Sequence, residues 1–259
     1  MGFDWTNKTA LVTGASSGIG RALSVELARR GARLGLLARR ADALQGALRE
    51  IESGGGRATA LVADVRDVGA VRRAVESLRQ AFGPIDLLIA NAGIGDETPA
   101  TKFDLARAAE IVSINLIGAM NCVGAVLPEM VARGEGHLVA ISSLAAYRGL
   151  PRSAAYSASK AGLSTFFESL RVDLQGTGVA VTVIHPGFIR TPMIAQRRAP
   201  VPYLLDLPEA IERIVAAIEK RKRSCAFPWQ LAATVKLLAL MPAPLYDLLM
   251  ARTQKARRR

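Results

Sequence analysis

A short apolar run followed by a glycine-rich turn and a helix is the feature that most constrains the fold of this chain. Residues 9–13 form the apolar run, residues 13–20 form the turn TGASSGIG, and residues 21–30 have helical spacing of apolar positions. Glycines at such a turn let the backbone approach a pyrophosphate, whose charge is stabilised by the helix N-terminus. A plain loop can have the same spacing, but the place between strand and helix favours a dinucleotide site. The candidate phosphate-binding residues are Gly14, Ser16, Ser17, Gly18, Ile19 and Gly20.

The rest of the chain continues the alternation of short apolar strands and helices. Strands are predicted at 9–13, 33–37, 58–62, 85–90, 137–141, 179–184 and 224–227, and helices at 21–30, 42–53, 68–82, 104–133 and 153–175. Asp42 is expected to cap the second helix and Gly54 to end it. Strands that alternate with helices are joined by right-handed crossovers, which give a parallel sheet covered on both faces. The predicted fold class is α/β, a doubly wound parallel sheet or Rossmann fold.

The length and composition of the chain are compatible with one domain. A chain of 259 residues that is 50% apolar can bury a single large core. Neither a linker, a repeat nor a low-complexity tract divides the sequence. We therefore predict one dinucleotide-binding domain over 1–259, with a core at about 6–192 and 206–228, a lid at 193–205, and an apolar, basic C-terminal helical extension at 229–259.

Two features of the sequence indicate a reducing, cytoplasmic location. The two cysteines, Cys122 and Cys225, lie in separate apolar segments and form neither a disulfide framework nor a metal-ligand pair. The N-terminus has no basic region that leads into a long apolar run, so a secretory signal is not expected.

The net charge of +12 at pH 7 raises the question of an anionic partner. Nucleic acid and an anionic membrane are the two general classes. The basic residues are spread over predicted helix faces and cluster only at 220–223 and 255–259, without the interleaved aromatic side chains on which bases would stack. Most charge runs of this kind form a solvated surface, and we expect no nucleic-acid partner.

Tyr156 and Lys160 form the candidate catalytic pair. They are four residues apart, which places them on one face of a helix. A phenol normally keeps its proton well above neutral pH, but a neighbouring ammonium stabilises the phenolate and lowers the pKa of the phenol. Such a pair can exchange a proton with a substrate. Taken singly, Tyr156 could be a half-buried core ring and Lys160 a surface charge.

The end of the second predicted strand indicates which dinucleotide would bind. An NAD site carries an acidic residue about 20 residues after the glycine turn, where it binds the adenosine ribose. This chain has Arg39 and Arg40 in that neighbourhood. Because a guanidinium group binds phosphate through its planar fork, the pair favours the 2′-phosphate of NADP. The alternative is that the two arginines only begin an exposed helix.

Two further segments follow predicted strands. Asp64 and Val65 come after the third strand, where they could contact the adenine, although Asp64 could equally cap a helix. Asn91, Ala92 and Gly93 come after the fourth strand, where small residues and an amide would let the backbone run beside a cofactor. A simple turn is the alternative for this second segment.

Taken together, these motifs resemble the short-chain dehydrogenase/reductase family over about residues 6–192. The shared motifs, in order, are TGxxxGIG at 13–20, NAG at 91–93, Asn115 in the long helix, Ser143 thirteen positions before the tyrosine, YxxxK at Tyr156 and Lys160, and Pro186-Gly187 leading to Thr191. Each motif alone is weak, but six in this order and spacing exclude coincidence. The resemblance, with the two arginines, implies an oxidoreductase that uses NADP(H).

The resemblance also implies a role for each residue of the site. Tyr156 would protonate a carbonyl oxygen as hydride arrives from the nicotinamide, and Lys160 would lower the phenol pKa and hold the nicotinamide ribose. Ser143 would hydrogen-bond the substrate oxygen, with Ser142 as its rival. Asn115 would hold a water that connects Lys160 to solvent. Considered by itself, its side chain could simply form an internal hydrogen bond to the backbone. The residues expected against the nicotinamide are Pro186, Gly187, Ile189 and Thr191.

The segment after Thr191 is where substrate choice is expected to lie. It is apolar and interrupted by prolines and arginines, which suggests a mobile lid over the pocket. The expected substrate is a lipophilic carbonyl or, in the reverse direction, a secondary alcohol. Arg197 and Arg198 could bind an anionic handle on the substrate, but exposed lid charges are the commoner explanation. Apolar walls are expected from Leu144, Leu150 and Phe188.

The tail is the main departure from the family pattern. Residues 229–241 are apolar nearly all round, Pro242 and Pro244 break the segment, and residues 245–250 resume it. Neither piece approaches the roughly 20 residues needed to cross a bilayer. Three uses remain open, which are packing over the pocket, a contact between subunits, or lying in an anionic membrane interface with the basic residues 255–259 on the lipid.

Two classes of function remain. The favoured one is an NADPH-dependent carbonyl reductase, or the reverse alcohol dehydrogenase, and the alternative is a non-catalytic NADP-binding sensor or scaffold, because fold alone does not determine activity. The intact set of Tyr156, Lys160, Ser143 and Asn115 argues against the alternative. Since members of the family are commonly dimers or tetramers, a homo-oligomer is expected, and no metal is.

Overall fold

Seven strands form one parallel sheet in the computed structural model, which describes residues 4–195 and 201–256. The strands are β1 (Thr9–Thr13), β2 (Arg33–Ala38), β3 (Arg57–Val62), β4 (Leu87–Ala90), β5 (Gly136–Ile141), β6 (Val179–Pro186) and β7 (Ser224–Phe227). Their order across the sheet is β3-β2-β1-β4-β5-β6-β7. The order reverses direction between β1 and β4, and the carboxyl ends of these strands border the crevice in which open α/β sheets bind ligands. The predicted doubly wound parallel sheet is confirmed.

Helices cover both faces of the sheet. They are α1 (Gly18–Arg29), α2 (Ala41–Ser53), α3 (Val68–Phe82), α4 (Leu105–Val112), α5 (Gly118–Arg133), α6 (Ala154–Asp173), α7 (Pro192–Ala195), α8 (Leu207–Glu219), α9 (Trp229–Leu240) and α10 (Ala243–Ala256). Successive residues of β1 show how the two core layers form. Val12 packs in the layer with α1, α2 and α8, and Leu11 packs in the layer with α3, α5 and α6. Both faces of a strand are buried, which explains the unbroken apolar runs.

The ends of the predicted elements differ slightly from the observed ones. The prediction that Asp42 caps α2 is wrong, because the helix begins at Ala41 with Arg40 as its N-cap residue. Asp42 instead lies in the first turn, where its charge is still favoured by the helix dipole. Gly54 follows the last helical residue, as predicted. The segment 206–228, predicted only as part of the core and a last strand, contains α8 before β7.

The long helix predicted at 104–133 is continuous but irregular. Between α4 and α5 lies a π-helical turn (Ser113–Ile117), in which the backbone N–H of Gly118 donates to the carbonyl oxygen of Ser113, five residues earlier. This turn contains Asn115, whose side chain is fully buried. A π turn inside an α-helix often marks a functional site. Apolar periodicity does not reveal it, because the flanking helices keep the same direction.

The same stretch is apolar enough to be mistaken for a membrane-spanning helix. Among the described residues, Leu105–Arg133 is the one helical stretch with the length and composition to cross a membrane, and an 18-residue window within it has a mean hydropathy of 1.8. Its side chains Val123, Val126 and Met130 are buried in the core layer against the sheet. Core helices pass the same test of length and composition, and this stretch is a core helix.

The tail forms two helices, α9 and α10. Pro242 separates them, but Pro244 does not break the second one. Pro244 is the second residue of α10, and a proline in a first helical turn removes only an N–H that has no partner within the helix. Of the predicted basic cluster 255–259, residues 257–259 lie outside the described part of the chain.

Both cysteines are free thiols. Cys122 is fully buried in α5, and burial raises the pKa of its thiol to about 12. Cys225 is half-buried in β7, where burial also raises its pKa. Because the thiolate is the nucleophilic form, neither cysteine is suited to act as a nucleophile at neutral pH.

Candidate active site

The glycine turn after β1 and the loop after β4 are tied together at the carboxyl edge of the sheet. The hydroxyl of Thr13 accepts the backbone N–H groups of Asn91, at 3.0 Å, and Ala92, at 2.9 Å. The side-chain amide of Asn91 donates to the carbonyl oxygen of Thr13 at 2.9 Å. On the other side, the N–H of Gly14 donates to the carbonyl oxygen of Leu37 at 2.8 Å. The turn is therefore held by both neighbouring strands.

Close backbone contacts require two of the glycines. Gly14 has a φ of +69°, and a Cβ there would lie 2.9 Å from the Cα of Ala92. A Cβ on Gly20 would lie 2.4 Å from the carbonyl oxygen of Gly14 and 2.5 Å from the amide nitrogen of Asn91. The first turn of α1 carries no carboxylate, so its free N–H groups are suited to an anion.

Arg40 lies against the same turn. Its Nη2 donates to the hydroxyls of Ser16 and Ser17, both at 3.0 Å. Ser17 is the N-cap residue of α1, yet its hydroxyl does not cap the helix. A guanidinium group and two hydroxyls thus converge beside a helix N-terminus, an arrangement that suits a phosphate group.

Arg39 and Asp64 approach each other at the ends of β2 and β3. Nη1 of Arg39 lies 3.7 Å from Oδ2 of Asp64, to which Arg66 also donates at 2.7 Å. These contacts, with the hydrogen bonds from Arg66 the largest, hold the pKa of Asp64 below its usual value. Asp64 is not the cap of α3, because Asp67 takes that position and accepts the N–H of Ala70 at 2.9 Å.

Val65 has its side chain in the core. A Cβ on Gly118 would lie 2.4 Å from Cγ2 of Val65, which is buried between the sheet and α5. The carbonyl oxygen of Val65 accepts the side-chain amide of Asn121 at 2.8 Å. The predicted contact of Val65 with the adenine stays a prediction.

Helix α6 carries Tyr156 and Lys160 one turn apart. The amine of Lys160 lies 6.0 Å from the centre of the Tyr156 ring and donates to the carbonyl oxygen of Ile141 at 2.8 Å. Lys160 is buried, and burial lowers the pKa of its amine to about 8. Because this value lies above neutral pH, the amine is still mostly an ammonium at pH 7.

The loop after β4 runs along both side chains of this pair. A Cβ on Gly93 would lie 3.5 Å from Nζ of Lys160, and a Cβ on Gly95 would lie 3.5 Å from the ring of Tyr156. The ring also packs against a small cluster that contains Ala108 of α4. The tyrosine is half-buried in this setting. The predicted pair and the predicted NAG segment therefore belong to one site.

The π turn brings Asn115 to the same loop. Its Oδ1 accepts the N–H of Ile94 at 2.8 Å, and its Nδ2 donates to the carbonyl oxygen of Ile94 and to the hydroxyl of Ser159, both at 3.0 Å. Oδ1 also lies 3.2 Å from where a Cβ of Gly93 would be. Asn115 thus fixes the loop beside Lys160 through bonds to the backbone, and its water-holding role stays a prediction.

The structure distinguishes between the two candidate serines. Ser142 is buried, donates to the carbonyl oxygen of Lys160 at 3.0 Å and pairs with the hydroxyl of Ser164 at 2.8 Å. Ser143 is half-buried, and its hydroxyl accepts the N–H of Ala145 at 3.1 Å, which leaves its own proton to donate. Of the two serines, Ser143 is therefore the less buried, and its contact with a substrate stays a prediction.

The segment after β6 returns toward the glycine turn. Pro186 ends β6, and the N–H of Gly187 donates to a carbonyl oxygen at the end of β7 at 2.7 Å. Ile189 is buried in the core. A Cβ on Gly18 would lie 3.6 Å from Cγ2 of Thr191. Thr191 therefore lies beside the first turn of α1.

The two histidines are packed in the interior. Nε2 of His137 lies 2.8 Å from the hydroxyl of Thr182, and Nε2 of His185 lies 3.2 Å from the hydroxyl of Ser164. Burial lowers the pKa of each imidazole to about 4. Both rings are neutral at pH 7, and both are built into the sheet.

A second set of contacts, which the sequence did not reveal, holds the loop that follows Ser143. We call residues 144–150 the serine loop. Nη1 of Arg148 donates to the carbonyl oxygens of Ala239 and Met241 in the tail, both at 3.1 Å. The guanidinium group lies 4.4 Å from the centre of the Tyr246 ring. These partners are separated by more than 90 residues, so no local sequence signal could have indicated them.

The tail makes further contacts with the same loop. The hydroxyl of Tyr246 donates to the carbonyl oxygen of Gly149. Leu144, predicted as a wall of the pocket, is buried in a cluster with Ala232 and Val235 of α9. The inner sides of the tail helices therefore pack on the serine loop beside the site, and the three uses predicted for the tail stay open.

The predicted lid at 193–205 is described only in part. Residues 196–200, which include Arg197 and Arg198, lie outside the described residues. A Cβ on Gly95 would lie 3.3 Å from the sulfur of Met193. The first residue of the lid therefore lies beside the loop after β4, which also contacts Tyr156. At its other end, Leu205 pairs with Ile189 in an isolated bridge.

Comparison with known proteins assigns this arrangement to a family. A family model described as short chain dehydrogenase matches residues 8–201. The chain belongs to the short-chain dehydrogenase/reductase family. An uncharacterized oxidoreductase of Myxococcus xanthus is 45% identical over 240 residues, which cover 93% of this chain and 95% of that protein. The ketoacyl reductase HetN of Nostoc sp. is 35% identical over 241 residues, which cover 92% of this chain and 84% of that protein.

Solved structures agree with this assignment. The crystal structure of levodione reductase superposes with a TM-score of 0.81 at 27% identity, covering 88% of this chain and 99% of that one. As a member of the short-chain dehydrogenase/reductase family, the protein is an oxidoreductase, and the family uses nicotinamide cofactors, NAD or NADP. The residues present fit such a cofactor. Gly14 and Gly20 have no side chains at the N-terminus of α1, so a pyrophosphate could approach the backbone there closely.

Proposed function

We propose that this protein is an NADPH-dependent reductase of lipophilic carbonyl compounds, or catalyses the reverse oxidation of secondary alcohols. The observation that carries the proposal is the pairing of a half-buried phenol, Tyr156, with the buried ammonium of Lys160 beside the loop that borders the nucleotide crevice. A bound reduced nicotinamide supplies the hydride. The protein must then supply one proton to the carbonyl oxygen and hold that oxygen in place.

Tyr156 is the proton donor in this proposal. Its phenol gives a proton to the substrate oxygen, and the phenolate that remains is stabilised by the ammonium of Lys160. The low polarity around the buried amine strengthens this attraction, because fewer water dipoles screen the charge. The carbonyl oxygen of Ile141, 2.8 Å from Nζ, keeps the amine in position.

Ser143 and Asn115 support the same step. The hydroxyl of Ser143 donates to the substrate oxygen and stabilises the negative charge that develops there. Asn115 keeps Ile94, and with it the loop beside Lys160, in position through two hydrogen bonds to the backbone. We also propose that it holds a water on the path from Lys160 to solvent.

The preference for NADP rests on Arg39 and Arg40. Arg40 is held by the hydroxyls of Ser16 and Ser17, beside the N-terminus of α1. The carboxylate in this neighbourhood, Asp64, is paired with Arg66 and Arg39. An NAD site would offer a free carboxylate to the ribose diol. Here the arginines make the same place cationic, which suits a 2′-phosphate.

The lipophilic substrate class rests on the residues around the opening. Met193 and Tyr203 are large, exposed side chains of the lid, and Phe188 is half-buried. Two similar proteins are named for reductions of carbonyl compounds, one as a ketoacyl reductase and one as levodione reductase. These names support a carbonyl substrate, and the apolar lid supports a lipophilic one.

The test of the reaction is the substitution Tyr156→Phe. Ketones, aldehydes and lipid carbonyls are screened for oxidation of NADPH, and the variant is then measured on the best substrate. Loss of the proton donor should lower kcat by about 1,000-fold while the Kd of NADPH stays nearly constant. Tyr147→Phe removes a hydroxyl from the serine loop and should retain most activity. If Tyr156→Phe is as active as Tyr147→Phe, the proposed mechanism is wrong, and a chain inactive on every carbonyl would instead be a sensor or scaffold.

The test of coenzyme choice removes two charges. In the Arg39→Ala/Arg40→Ala variant, the Kd of NADPH should rise about 100-fold and that of NADH by no more than about threefold, because each charged hydrogen bond to a phosphate contributes on the order of 2 kcal/mol. The matched control is Arg72→Ala/Arg73→Ala, which removes two adjacent exposed arginines from α3. Equal losses for both coenzymes would refute the 2′-phosphate site.

We also propose a homo-oligomer. The long helices expose apolar side chains that a contact between subunits would bury, namely Leu105, Ile117, Val131 and Val172. The measurement is light scattering coupled to size exclusion, with Leu105→Gln/Val172→Gln as the variant expected to shift the mass toward the monomer. A monomeric wild-type protein would exclude this part of the proposal.

A further inference from the structure

The C-terminal tail exposes an apolar surface. On α9, Trp229, Leu237 and Leu240 are 71%, 68% and 83% exposed. By helical geometry these three positions lie within about 80° of one another, so they form one side of the helix. The exposed leucines of α10 continue the apolar surface along the chain, and they are Leu245, Leu248 and Leu249. We call these six residues the tail face.

The tail face is held outward by the contacts on the other side of the tail. Ala232 and Val235 of α9 are buried against Leu144 of the serine loop. On α10, Tyr246 is buried and its hydroxyl donates to the carbonyl oxygen of Gly149. Both helices are therefore docked on the serine loop by their inner sides. Turning the leucines inward would break these contacts, so the tail face needs an external partner or remains in water.

The charge of the tail indicates the kind of partner. Between residues 229 and 259 there is one acidic residue, Asp247, and the basic residues are Lys236, Arg252, Lys255, Arg257, Arg258 and Arg259. Five of the six lie at 252–259, after the last exposed leucine in the sequence. Apolar helices next to a basic cluster match a surface that is apolar within and anionic outside, as a lipid leaflet with acidic headgroups is.

We propose that the tail face docks on an anionic membrane surface. Neither α9, with 12 residues, nor α10, with 14, has the roughly 20 residues needed to cross a bilayer, so both helices would lie in the plane of the interface. Trp229 at the start of α9 suits the headgroup level, where tryptophan is enriched. The basic residues add electrostatic attraction to the burial of the leucines.

A second copy of the chain is a poorer occupant of the tail face. In a symmetric contact the same surface of each copy meets the other, so two tails that each carry six basic residues and one acidic residue would meet. Like charges at close range repel, and the apolar contact would have to overcome that repulsion. An anionic leaflet turns the same charges into attraction.

Docking by the tail face would also orient the site. Leu231 of α9 lies against Gly187, since a Cβ there would be 3.0 Å from Cδ2 of Leu231, and α9 covers the serine loop beside Ser143. A membrane-bound molecule would therefore hold its substrate side close to the lipid. This consequence rests on the proposed function, whereas docking itself does not.

The experiment is sedimentation of the full-length protein with vesicles. Vesicles of phosphatidylcholine with phosphatidylglycerol are compared with vesicles of phosphatidylcholine alone, at low and at high salt. The protein should pellet with the anionic vesicles at low salt and be released at high salt. No pelleting with anionic vesicles would overturn the proposal. The Tyr156→Phe variant should pellet like the wild type, so vesicle binding is measured independently of catalysis.

Two pairs of matched variants locate the surface. Leu237→Gln/Leu240→Gln should weaken partitioning by at least about tenfold, because two buried leucines are lost. Its control, Val62→Gln/Val68→Gln, removes two exposed apolar side chains elsewhere and should bind like the wild type. Neutralising Arg257, Arg258 and Arg259 should weaken binding by roughly fivefold per charge. Its control neutralises three exposed basic residues between α8 and β7, namely Lys220, Lys222 and Arg223.

Two results would contradict the proposal even if the protein pellets. Equal losses in a variant and its control would mean that binding follows total charge or total apolar surface and not the tail. If light scattering shows that Leu237→Gln/Leu240→Gln converts an oligomer into a monomer while vesicle binding persists, the tail face joins two copies of the chain and the membrane is excluded as its occupant.

Discussion

The two sides of the crevice are built in different ways, although they share the carboxyl edge of one sheet. On the nucleotide side, backbone meets backbone directly, as where Gly14 and Gly20 approach the loop after β4. On the substrate side, the serine loop is held by long side chains and by a separate pair of helices, through Arg148 and Tyr246. The first construction relies on close contacts of the backbone, and the second relies on side-chain contacts between distant segments.

This difference suggests how the chemistry and the choice of substrate are separated. The proposed proton transfer needs fixed distances, and its residues, Tyr156 and Lys160, lie on α6 beside the loop that contains Gly93. Substrate choice needs a surface that can vary without disturbing those distances, and it is assigned to the lid and to the loop under the tail. Changes on one side should therefore leave the function of the other side intact, and three substitutions test this expectation.

Gly20→Ala should have the largest effect, and it is confined to the nucleotide side. The new Cβ would lie 2.4 Å from the carbonyl oxygen of Gly14, so the turn must move away from the N-terminus of α1. We expect the Kd of the coenzyme, measured by fluorescence titration, to rise by at least about 100-fold, since several N–H contacts to the phosphates are lost.

The control for this substitution is Gly46→Ala in α2. A Cβ on Gly46 would have no neighbour within 4 Å, and alanine is favoured over glycine in a helix by about 1 kcal/mol. This variant should bind coenzyme normally and unfold at a higher temperature. Normal coenzyme binding by Gly20→Ala would show that the turn is looser than its contacts indicate.

Arg148→Ala should have an intermediate effect on the substrate side. It removes two hydrogen bonds to tail carbonyls and the contact with the Tyr246 ring, which frees the serine loop. We expect kcat/KM to fall by about 30-fold, or about 2 kcal/mol, with an unchanged Kd for the coenzyme. Arg57→Ala, which removes another arginine–aromatic contact at 5.6 Å from Phe82, should leave both values unchanged. A parallel rise in coenzyme Kd would mean that the two sides are coupled.

Tyr246→Phe should have the smallest effect of the three. It removes the hydrogen bond to the carbonyl oxygen of Gly149 and keeps the ring over Arg148. The free energy of unfolding from urea titration should fall by about 1 kcal/mol, the usual net contribution of one such bond. If Tyr246→Phe lowered the free energy of unfolding as much as Arg148→Ala does, the hydroxyl group, and not the guanidinium group, would be the main contact between the tail and the serine loop.

Several features of the site were readable in the sequence because they depend on residues close together in the chain. The glycine turn needs a strand before it and a helix after it, and Tyr156 and Lys160 share a helix face through their spacing alone. The parallel sheet follows from the alternation of apolar strands and helices. These local patterns have few structural solutions, so they predicted the fold and the family.

Other features depended on contacts between distant residues. The π turn that positions Asn115 has no distinct periodicity, and no local pattern indicated that the hydroxyl of Ser142 is bonded in the core. Asp42 was a reasonable cap by residue type, but the helix begins one residue before it.

By itself the sequence determined the fold and the family, and it placed Tyr156 and Lys160 on one helix face, because short-range spacing and apolar pattern are enough to specify these features. Only the tertiary structure decided that the tail docks on the serine loop through Arg148 and Tyr246, and which of its leucines stay exposed. The physical reason is that an apolar helix buries whichever side meets a partner. That side is set by packing across more than 90 residues of chain and not by the composition of the helix.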